Sequence, residues 1–243
     1  MSIAGKHIVI TGGASGLGLE LVHQLQNNNK ISVIARPSAG LDQLRTTYSD
    51  IHVYEAELHD LGQVEAAADQ IVKDHQAIDI LINNAAVQYT PKFLDDDFCY
   101  RHIKREIDVN FTSICALTYL MLPALLNSKS ATILNVNSGL GLVPKKSSAI
   151  YCATKGALNI FSQSLRHQFQ DTNITVKQAF LPLVDTAMTR GRGTGKLPAD
   201  HVAATIIAGL TQKQADIDIG KVKLLRPMAR FFPALARQIM KVN

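Results

Sequence analysis

Short apolar runs alternate along the chain with longer segments of helical periodicity, and this alternation constrains the fold more than any other feature. Between the runs, apolar residues recur every three or four positions, as at Leu17, Leu21 and Leu25. Strands separated by helices form parallel sheets through βαβ crossovers, and strands that are apolar throughout are buried on both faces. The pattern predicts an α/β fold, a single Rossmann-type doubly wound parallel sheet in a three-layer α/β/α sandwich. The runs are KHIVIT (6–11), ISVIA (31–35), DILIN (79–83), ATILNVNS (131–138) and ITVKQAF (174–180).

The pattern also predicts where several less regular elements begin and end. A long helical region is expected over 95–126, with Pro123 near its end, and another helix over 149–170. The run DIDIGKVKLL (216–225) is a candidate for the last strand. Pro227 and Pro233 should each begin a short helix, because proline suits a first helical turn and disrupts a helix interior.

The composition fits one globular domain that covers residues 1–243. Of these residues, 47% are hydrophobic and 19% are charged, and α/β domains reach this length without dividing. The first residues, MSIAGKHIVIT, lack the long apolar segment of a signal peptide or a membrane span. Three widely spaced cysteines, Cys99, Cys115 and Cys152, favour a reducing compartment over a disulfide framework. We therefore expect a cytoplasmic protein.

The charge distribution narrows the classes of ligand. A formal net charge of +5 weakly favours acidic ligands. Nucleic acid is not an expected partner, because the basic residues are spread along the chain without aromatic neighbours except near the C-terminus. No pair of cysteines or histidines has the spacing of metal ligands, so no metal site is predicted.

A glycine-rich loop, TGGASGLG (11–18), separates the first predicted strand from the first predicted helix. Gly12, Gly16 and Gly18 lack side chains that would keep a pyrophosphate from the backbone, and the following helix directs its N-terminal N–H groups at the anion. Ser15 could add a hydroxyl donor. A tight strand-to-helix turn is the alternative interpretation, but the position between strand and helix favours dinucleotide binding.

The end of the second strand bears on the choice of cofactor. A free ribose 2′-hydroxyl usually meets a carboxylate there, whereas this chain has Ala35 followed by Arg36. A guanidinium can form two hydrogen bonds to a 2′-phosphate, which favours NADP over NAD. The alternative is a surface arginine that only flanks the strand.

Tyr151 and Lys155 are four residues apart at the start of a predicted helix, so their side chains leave the same face. A neighbouring cation lowers the pKa of a phenol, which would make the pair a proton donor and acceptor. On this spacing alone, a core tyrosine beside a lysine that reaches to water is the favoured interpretation.

Taken together, these motifs resemble those of the short-chain dehydrogenase/reductase family over nearly the whole chain. The resemblance is carried by TGGASGLG, NNAA (83–86), Asn110 in DVNF, Ser138 in NVNSG, and Tyr151 and Lys155 in YCATK. It implies an NAD(P)-dependent enzyme that interconverts a carbonyl and an alcohol. Tyr151 would be the acid/base, Lys155 would tune it and hold the nicotinamide ribose, Ser138 would bind the substrate oxygen, and Asn110 would hold a water of the proton relay. Details such as SGLGLVPKKS and LVDTAMTRGRG are similar to the subgroup named for the bacterial lipoteichoic-acid D-alanylation operon.

The resemblance also implies a set of cofactor contacts. Where the family usually has Pro-Gly after the sixth strand, this chain has Pro182-Leu183, and Glu57 stands where an aspartate commonly meets adenine. The segment 183–197, here called the lid segment, would cover the substrate. The expected cofactor-binding residues are Gly12, Ser15, Gly16, Leu17, Gly18, Arg36, Glu57, Leu58, Asn84, Ala85, Tyr151, Lys155, Val184 and Thr186, and Asn83 would brace the sheet.

Two alternatives to a simple enzyme follow from other parts of the sequence. A catalytically silent dinucleotide-binding regulator is the first, although such relatives usually lose the tyrosine or the lysine. The basic amphipathic tail, 221–243, could contact an anionic membrane surface, but packing of its apolar side on the body or on another subunit is favoured. The helices over 110–126 and 149–170 carry more apolar surface than one sheet face needs, and the family resemblance implies a homodimer or homotetramer.

Overall fold

A seven-stranded parallel sheet forms the centre of the computed structural model, which describes residues 3–242. Its strands lie in the order β3-β2-β1-β4-β5-β6-β9, and a separate two-stranded sheet pairs β7 with β8. The strands are β1 His7–Thr11, β2 Lys30–Ala35, β3 His52–Glu55, β4 Ile80–Asn83, β5 Ala131–Ser138, β6 Ile174–Leu181, β7 Val184–Asp185, β8 Leu197–Pro198 and β9 Asp216–Asp218.

Helices cover both faces of this sheet. The α-helices are α1 Gly16–Leu25, α2 Ala39–Thr47, α3 Leu61–Asp74, α4 Arg101–Ile107, α5 Ser113–Leu120, α6 Leu122–Leu126, α7 Ala149–Gln168, α8 Ala199–Leu210, α9 Val222–Phe231 and α10 Pro233–Val242. One core joins the sheet to α1, α2 and α8, and a second core joins the other face to α3, α5 and α7. The doubly wound three-layer fold predicted from the sequence is therefore confirmed.

The strand order reverses between β1 and β4, which places a crevice beyond their carboxyl ends. β1 pairs with β2 on one side and with β4 on the other, and Ile8 lies opposite both Ile31 and Ile80. The chain leaves β1 toward β2 and β3, whereas later strands extend the sheet from β4 through β5 and β6. Such a reversal is where open α/β sheets bind their ligands, so the motifs that follow β1, β4 and β5 lie at one edge.

The long helical region expected over 95–126 is shorter and more divided than the sequence indicated. Its first helix begins at Arg101, six residues later than expected, and a π-helical turn over Asp108–Thr112 joins it to α5. Met121 separates α5 from α6, and Pro123 lies in the first turn of α6 rather than at the end of a long helix. Pro123 is tolerated there because the first helical N–H groups have no intrahelical acceptor.

The strand expected over 216–225 was wrong beyond Asp218. Gly220 follows with a φ of +55°, a left-handed conformation that ends the strand, and α9 begins at Val222. Pro227 lies inside α9 instead of starting a helix, whereas Pro233 does start α10 as predicted. Val222 is buried and Arg226 binds Asp218, so packing on the body holds the part of α9 that precedes Pro227.

Arg226 attaches α9 to the edge of the sheet. Its Nε and Nη2 atoms donate to the Asp218 carboxylate over 2.6 and 2.7 Å, and its guanidinium lies 4.3 Å from the centre of the Phe180 ring. Arg226 of the predicted basic amphipathic tail is therefore anchored to the sheet and does not belong to an exposed basic face. No helix within residues 3–242 is both long enough and apolar enough to cross a bilayer.

Candidate active site

The loop after β1 lies so close to the segment after β4 that only glycine fits at the nearest positions. Gly12 has a φ of +69°, and a Cβ added to it would lie 3.1 Å from the Cα of Ala85. A Cβ on Gly18 would lie 2.6 Å from Nδ2 of Asn84. The loop is thus pressed against the segment that follows β4, and it leads directly into α1, whose first N–H groups are free to meet an anion.

Hydrogen bonds between the ends of β1 and β4 hold this arrangement. The Thr11 hydroxyl accepts from the main-chain N–H groups of Asn84 and Ala85, each over 3.0 Å, and Asn84 Nδ2 donates to the Thr11 carbonyl over 2.9 Å. Asn83 is fully buried and donates to Asn135 Oδ1. The structure therefore places Asn84 and Ala85 beside the glycine loop and Asn83 within the sheet.

The glycine cradle and its surroundings fit a dinucleotide. Ser15 and Arg36 are exposed at this edge of the sheet, and within residues 3–242 no carboxylate pairs with Arg36. The side chains of Leu17 and Leu58 are buried. A pyrophosphate and a nucleoside could therefore be held by the loop backbone, by α1 and by the ends of β2, β3 and β4.

Glu57 is committed to protein partners. Its carboxylate lies 3.6 Å from Nη2 of Arg105 and 3.2 Å from Nδ1 of His59. Arg105 belongs to α4, so this ion pair ties the end of β3 to the helix that leads to Asn110. Glu57 is thus a predicted cofactor contact whose carboxylate already has two protein partners.

The start of the lid segment packs over the glycine loop. A Cβ on Gly16 would lie 3.2 Å from Cγ2 of Thr186, and Val184 is buried in the core below. The Thr186 hydroxyl and the Thr189 hydroxyl cap each other's main-chain N–H groups. Leu183 lies under the tip of the segment, where a Cβ on Gly193 would come within 2.6 Å of it.

Ser138 and Tyr151 meet at the carboxyl end of β5. Ser138 is the last residue of that strand, and its hydroxyl accepts from the Leu140 N–H over 3.1 Å. Burial raises the pKa of Tyr151, and the neighbouring Ser138 hydroxyl offsets only part of this rise. The spacing of Tyr151 and Lys155 had suggested a lowered pKa. Because burial dominates, the phenol is protonated at neutral pH.

Lys155 lies one turn further along α7 and is only 2% exposed. Its Nζ atom donates to the Val136 carbonyl over 2.8 Å and is 5.7 Å from the centre of the Tyr151 ring. Burial lowers the pKa of Lys155 to about 8. The ammonium is therefore charged at neutral pH and sits where it can act on the face of the phenol.

Asn110 is fully buried in the π-helical turn between α4 and α5. Its Oδ1 accepts from the Val87 N–H over 2.8 Å, and its Nδ2 donates to the Val87 carbonyl and to the Thr154 hydroxyl. Both amide hydrogens are thus used within the protein. The Asn110 side chain connects the segment after β4 to Thr154 on α7, which is three residues from Tyr151.

Sequence reasoning missed a chain of polar contacts beside Tyr151. Gln88 Nε2 donates to the Ser148 hydroxyl over 3.2 Å, and Arg192 of the lid segment donates to Gln88 Oε1 over 2.8 Å. Glu106, buried on α4, accepts from the Tyr89 N–H, and burial raises the pKa of Glu106 to about 7. No local pattern signals these residues, because their partners lie 17 to 104 positions away.

These features define a class of protein, and the chain belongs to the short-chain dehydrogenase family. The family model for short chain dehydrogenases matches residues 6–196. The protein is accordingly an NAD(P)-dependent oxidoreductase of the carbonyl–alcohol type, as inferred from the sequence motifs.

Two curated proteins illustrate its relatives. An uncharacterized oxidoreductase of Bacillus subtilis, DltE, is 30% identical over 245 residues, which cover 95% of this chain and 94% of that protein. The human very-long-chain 3-oxoacyl-CoA reductase is 29% identical over 197 residues, which cover 77% of this chain and 62% of that protein. The resemblance to the subgroup that includes DltE thus spans almost the whole chain.

Solved structures share the fold. A short chain dehydrogenase from Burkholderia cenocepacia, determined in complex with NADP, superposes with a TM-score of 0.88 at 23% identity and covers 99% of both chains. A short chain dehydrogenase/reductase from Burkholderia phymatum, in complex with NAD, gives a TM-score of 0.82 at 20% identity, over 95% of this chain and 96% of that one. A nicotinamide dinucleotide is therefore the cofactor class of this fold.

Proposed function

We propose that the protein reduces a carbonyl compound to an alcohol with NADPH, and that Tyr151 donates the proton. The observation that carries this proposal is the meeting of Ser138 and Tyr151 beside the buried ammonium of Lys155, at the edge of the sheet that also bears the glycine loop. The likeness to a human 3-oxoacyl-CoA reductase supports reduction as the direction.

Each residue has a distinct part in this scheme. When bound, the nicotinamide supplies the hydride. The Ser138 hydroxyl and the Tyr151 phenol donate hydrogen bonds to the substrate oxygen, where negative charge grows during reduction. Tyr151 then gives its proton to that oxygen, and its raised pKa keeps the proton available at neutral pH. The Lys155 cation stabilises the phenolate that remains.

Proton return to Tyr151 requires a path that starts behind Lys155. Because both amide hydrogens of Asn110 are already used, a water held by Asn110 would bind its main-chain carbonyl or the remaining lone pair of Oδ1. A π turn departs from the regular i→i−4 ladder, and such turns occur often at functional sites. We assign Asn110 the position of this relay.

Arg36 supports a preference for NADP. It is exposed directly after β2, without a carboxylate partner among the residues that the structure describes, and Ala35 presents no competing negative charge. The solved structure in complex with NADP is a fold relative only. Glu57, Leu58, Val184 and Thr186 complete the proposed cofactor contacts together with the glycine loop.

We further propose a homo-oligomer that works in the cytoplasm. Tyr119 on α5 and Ile160 on α7 are 73% and 65% exposed, and the Phe111 and Phe161 rings meet edge to face between these helices. Large apolar side chains exposed on neighbouring helices are typical of a protein contact. The three cysteines are free, which suits a reducing compartment.

A panel of aldehydes and ketones, followed by the absorbance of the reduced nicotinamide, tests the reaction. We expect consumption of NADPH with at least one ketone or aldehyde, and slower consumption of NADH. If neither cofactor binds in a calorimetric titration and no carbonyl is reduced, the proposal fails.

A further inference from the structure

Within residues 3–242, two positively charged side chains near the first turn of α7, Lys145 and Arg192, have no acidic ion-pair partner. Lys145 precedes α7 and Arg192 lies in the lid segment, and both are only partly exposed. Burial lowers the pKa of Lys145, and the charge of Arg192 lowers it further. The charge of Arg192 also acts on Tyr151, against the larger effect of burial. The two cations therefore lie within electrostatic range of each other, and Arg192 also lies within range of the reacting group.

Neither cation is neutralised by the protein. Within residues 3–242 no carboxylate forms an ion pair with Lys145 or Arg192. By contrast, Arg166 and Arg226 are exposed to a similar degree and both bind Asp216. Two like charges brought together with partial burial cost free energy unless an anion joins them.

The protein fixes Arg192 in this position through Gln88. Arg192 Nη1 donates to Gln88 Oε1 over 2.8 Å, and Gln88 Nε2 donates to the Ser148 hydroxyl over 3.2 Å. The residues on either side of Gln88 are held in turn, Val87 by Asn110 and Tyr89 by Glu106. These hydrogen bonds through Gln88 thus fix the orientation of the Arg192 guanidinium.

Ser148, which accepts the hydrogen bond from Gln88, has a strained backbone. Its φ of 58° is the only positive φ of a non-glycine residue in the described part of the chain, and its side chain is 2% exposed. A left-handed conformation costs a residue of this kind about 1 kcal/mol or more. Strain of this kind clusters at binding and catalytic sites, where the surrounding structure enforces it.

We propose that Lys145 and Arg192 bind an oxyanion of the substrate, so that the enzyme acts on carbonyl compounds that carry a carboxylate or a phosphate group. This inference rests on the proposed function, because it places the anion beside the proton donor Tyr151. A guanidinium presents parallel N–H donors that match either oxyanion, and a lysine adds a point charge. Burial raises the pKa of Glu106, a buried acid whose charge also acts on Tyr151, to about 7, so this carboxyl is only partly ionised at neutral pH.

The cofactor is not the anion that these residues select. Its phosphates are assigned to the glycine loop, α1 and Arg36, which follow β1 and β2. Lys145 and Arg192 instead flank the first turn of α7, and Arg192 reaches the segment after β4. The two anion sites are therefore built from different elements of the fold.

A binding experiment tests the site without relying on turnover. Hexanoate and hexyl phosphate, with hexanamide as the neutral match, are titrated calorimetrically into the protein with and without NADP. We expect at least one anion to bind at least tenfold more tightly than hexanamide, and NADP not to displace it. Arg192→Gln and Lys145→Gln should each remove this difference.

Adjacent residues supply matched controls. Arg190 and Lys146 are exposed and lie two positions and one position from the proposed ligands. Arg190→Gln and Lys146→Gln remove the same charges from the same segments and should leave the affinity unchanged. If the controls weaken binding as much as the test variants do, general surface charge explains the result and the site is refuted. Competition by NADP would refute it equally.

Turnover then separates this inference from the proposed reaction. Straight-chain 2-oxo and 4-oxo acids and a ketone phosphate monoester are compared with matched methyl esters and the free alcohol. We expect a lower KM for the anions, lost in Arg192→Gln while kcat changes little. Equal reduction of charged and neutral ketones would refute the anion site and leave the reductase intact. Selective anion binding without reduction of any carbonyl would support the site and count against the reaction.

Discussion

The Lys155 ammonium donates a hydrogen bond to the main-chain carbonyl of Val136 over 2.8 Å, at a position only 2% exposed. This contact fixes the cation beside the Tyr151 ring. Lys155→Met should therefore lower turnover and weaken NADPH binding, because it removes the charge and leaves the Val136 carbonyl unpaired. Since burial lowers the pKa of Lys155 to about 8, NADPH affinity of the parent should fall as the pH rises through about 8. Calorimetry over pH 6–10 checks this, and a parallel fall in Lys155→Met would contradict it.

Tyr151→Phe keeps the ring and removes the proton that the substrate oxygen would receive. Turnover should fall by roughly 10²–10⁴-fold, while NADPH still binds within a few-fold of the parent. Tyr100→Phe is the matched control, because Tyr100 is 71% exposed and lies outside the site. Steady-state kinetics on the best ketone decides the point. Near-normal turnover of Tyr151→Phe would show that another group donates the proton.

Arg36 should determine the preference for NADPH. We expect Ala35→Asp combined with Arg36→Ile to reverse the order of NADPH and NADH affinities, because a carboxylate repels the 2′-phosphate and accepts from a free ribose hydroxyl. A charged hydrogen bond lost from the phosphate corresponds to about 1.5–3 kcal/mol. Lys30→Gln is the control, since Lys30 is exposed at the opposite end of β2. Equal affinity of the parent for both cofactors in a calorimetric titration would exclude Arg36 from this role.

Glu106 should make the protein less stable as the pH rises. Burial raises the pKa of Glu106 from 4.5 to about 7, so the native state binds this proton more tightly than the unfolded state. The associated stability is present below pH 4.5 and is lost as the pH rises toward 7. Glu106→Gln stays neutral and can still accept from the Tyr89 N–H, so its advantage over the parent should grow to about 3 kcal/mol above pH 7.

Urea unfolding of the parent and of Glu106→Gln at pH 5 and pH 8 measures this difference. Glu65→Gln, an exposed change on α3, should show no such dependence. A constant gap between Glu106→Gln and the parent at both pH values would mean that Glu106 titrates normally.

Assembly should depend on the exposed face of α5 and α7. Ile160→Arg places a charge on the exposed face of α7 and should shift the protein to monomers at micromolar concentration. Leu61→Arg tests an apolar residue of comparable exposure elsewhere, at the start of α3. Sedimentation velocity measures the oligomeric state of both variants. A parent that sediments only as a monomer would contradict the proposed homo-oligomer.

The sequence specified the sheet far better than it specified the tail. β1, β4, β5 and β6 were predictable because each contains a short run rich in apolar and β-branched residues and each is followed by a motif or a helix with clear periodicity. The prediction was wrong at Pro227, where packing of Arg226 on Asp218 maintains a helix that propensity alone would end.

The candidate site was likewise predictable from the sequence only in part. Gly12, Ser138, Tyr151 and Lys155 stand out because their motifs are local in sequence. Arg192 and Gln88 do not, since their contact joins residues 104 positions apart and neither belongs to a repeated pattern. Glu106 was also missed, because its place on α4 resembles that of a surface acid until the Tyr89 segment is seen to cover it.

The strand order also has a kinetic consequence. The two strands that flank the glycine loop, β1 and β4, pair at Ile8 and Ile80, and the seven-stranded sheet contains only parallel pairs. No hairpin can therefore nucleate this sheet locally, and the loop cradle exists only after a segment of roughly 70 residues has closed, at an entropic cost of about 4 kcal/mol. The anion-binding cradle is consequently a late product of folding. A dinucleotide that recognises it binds the native state alone and slows the loss of that state on heating.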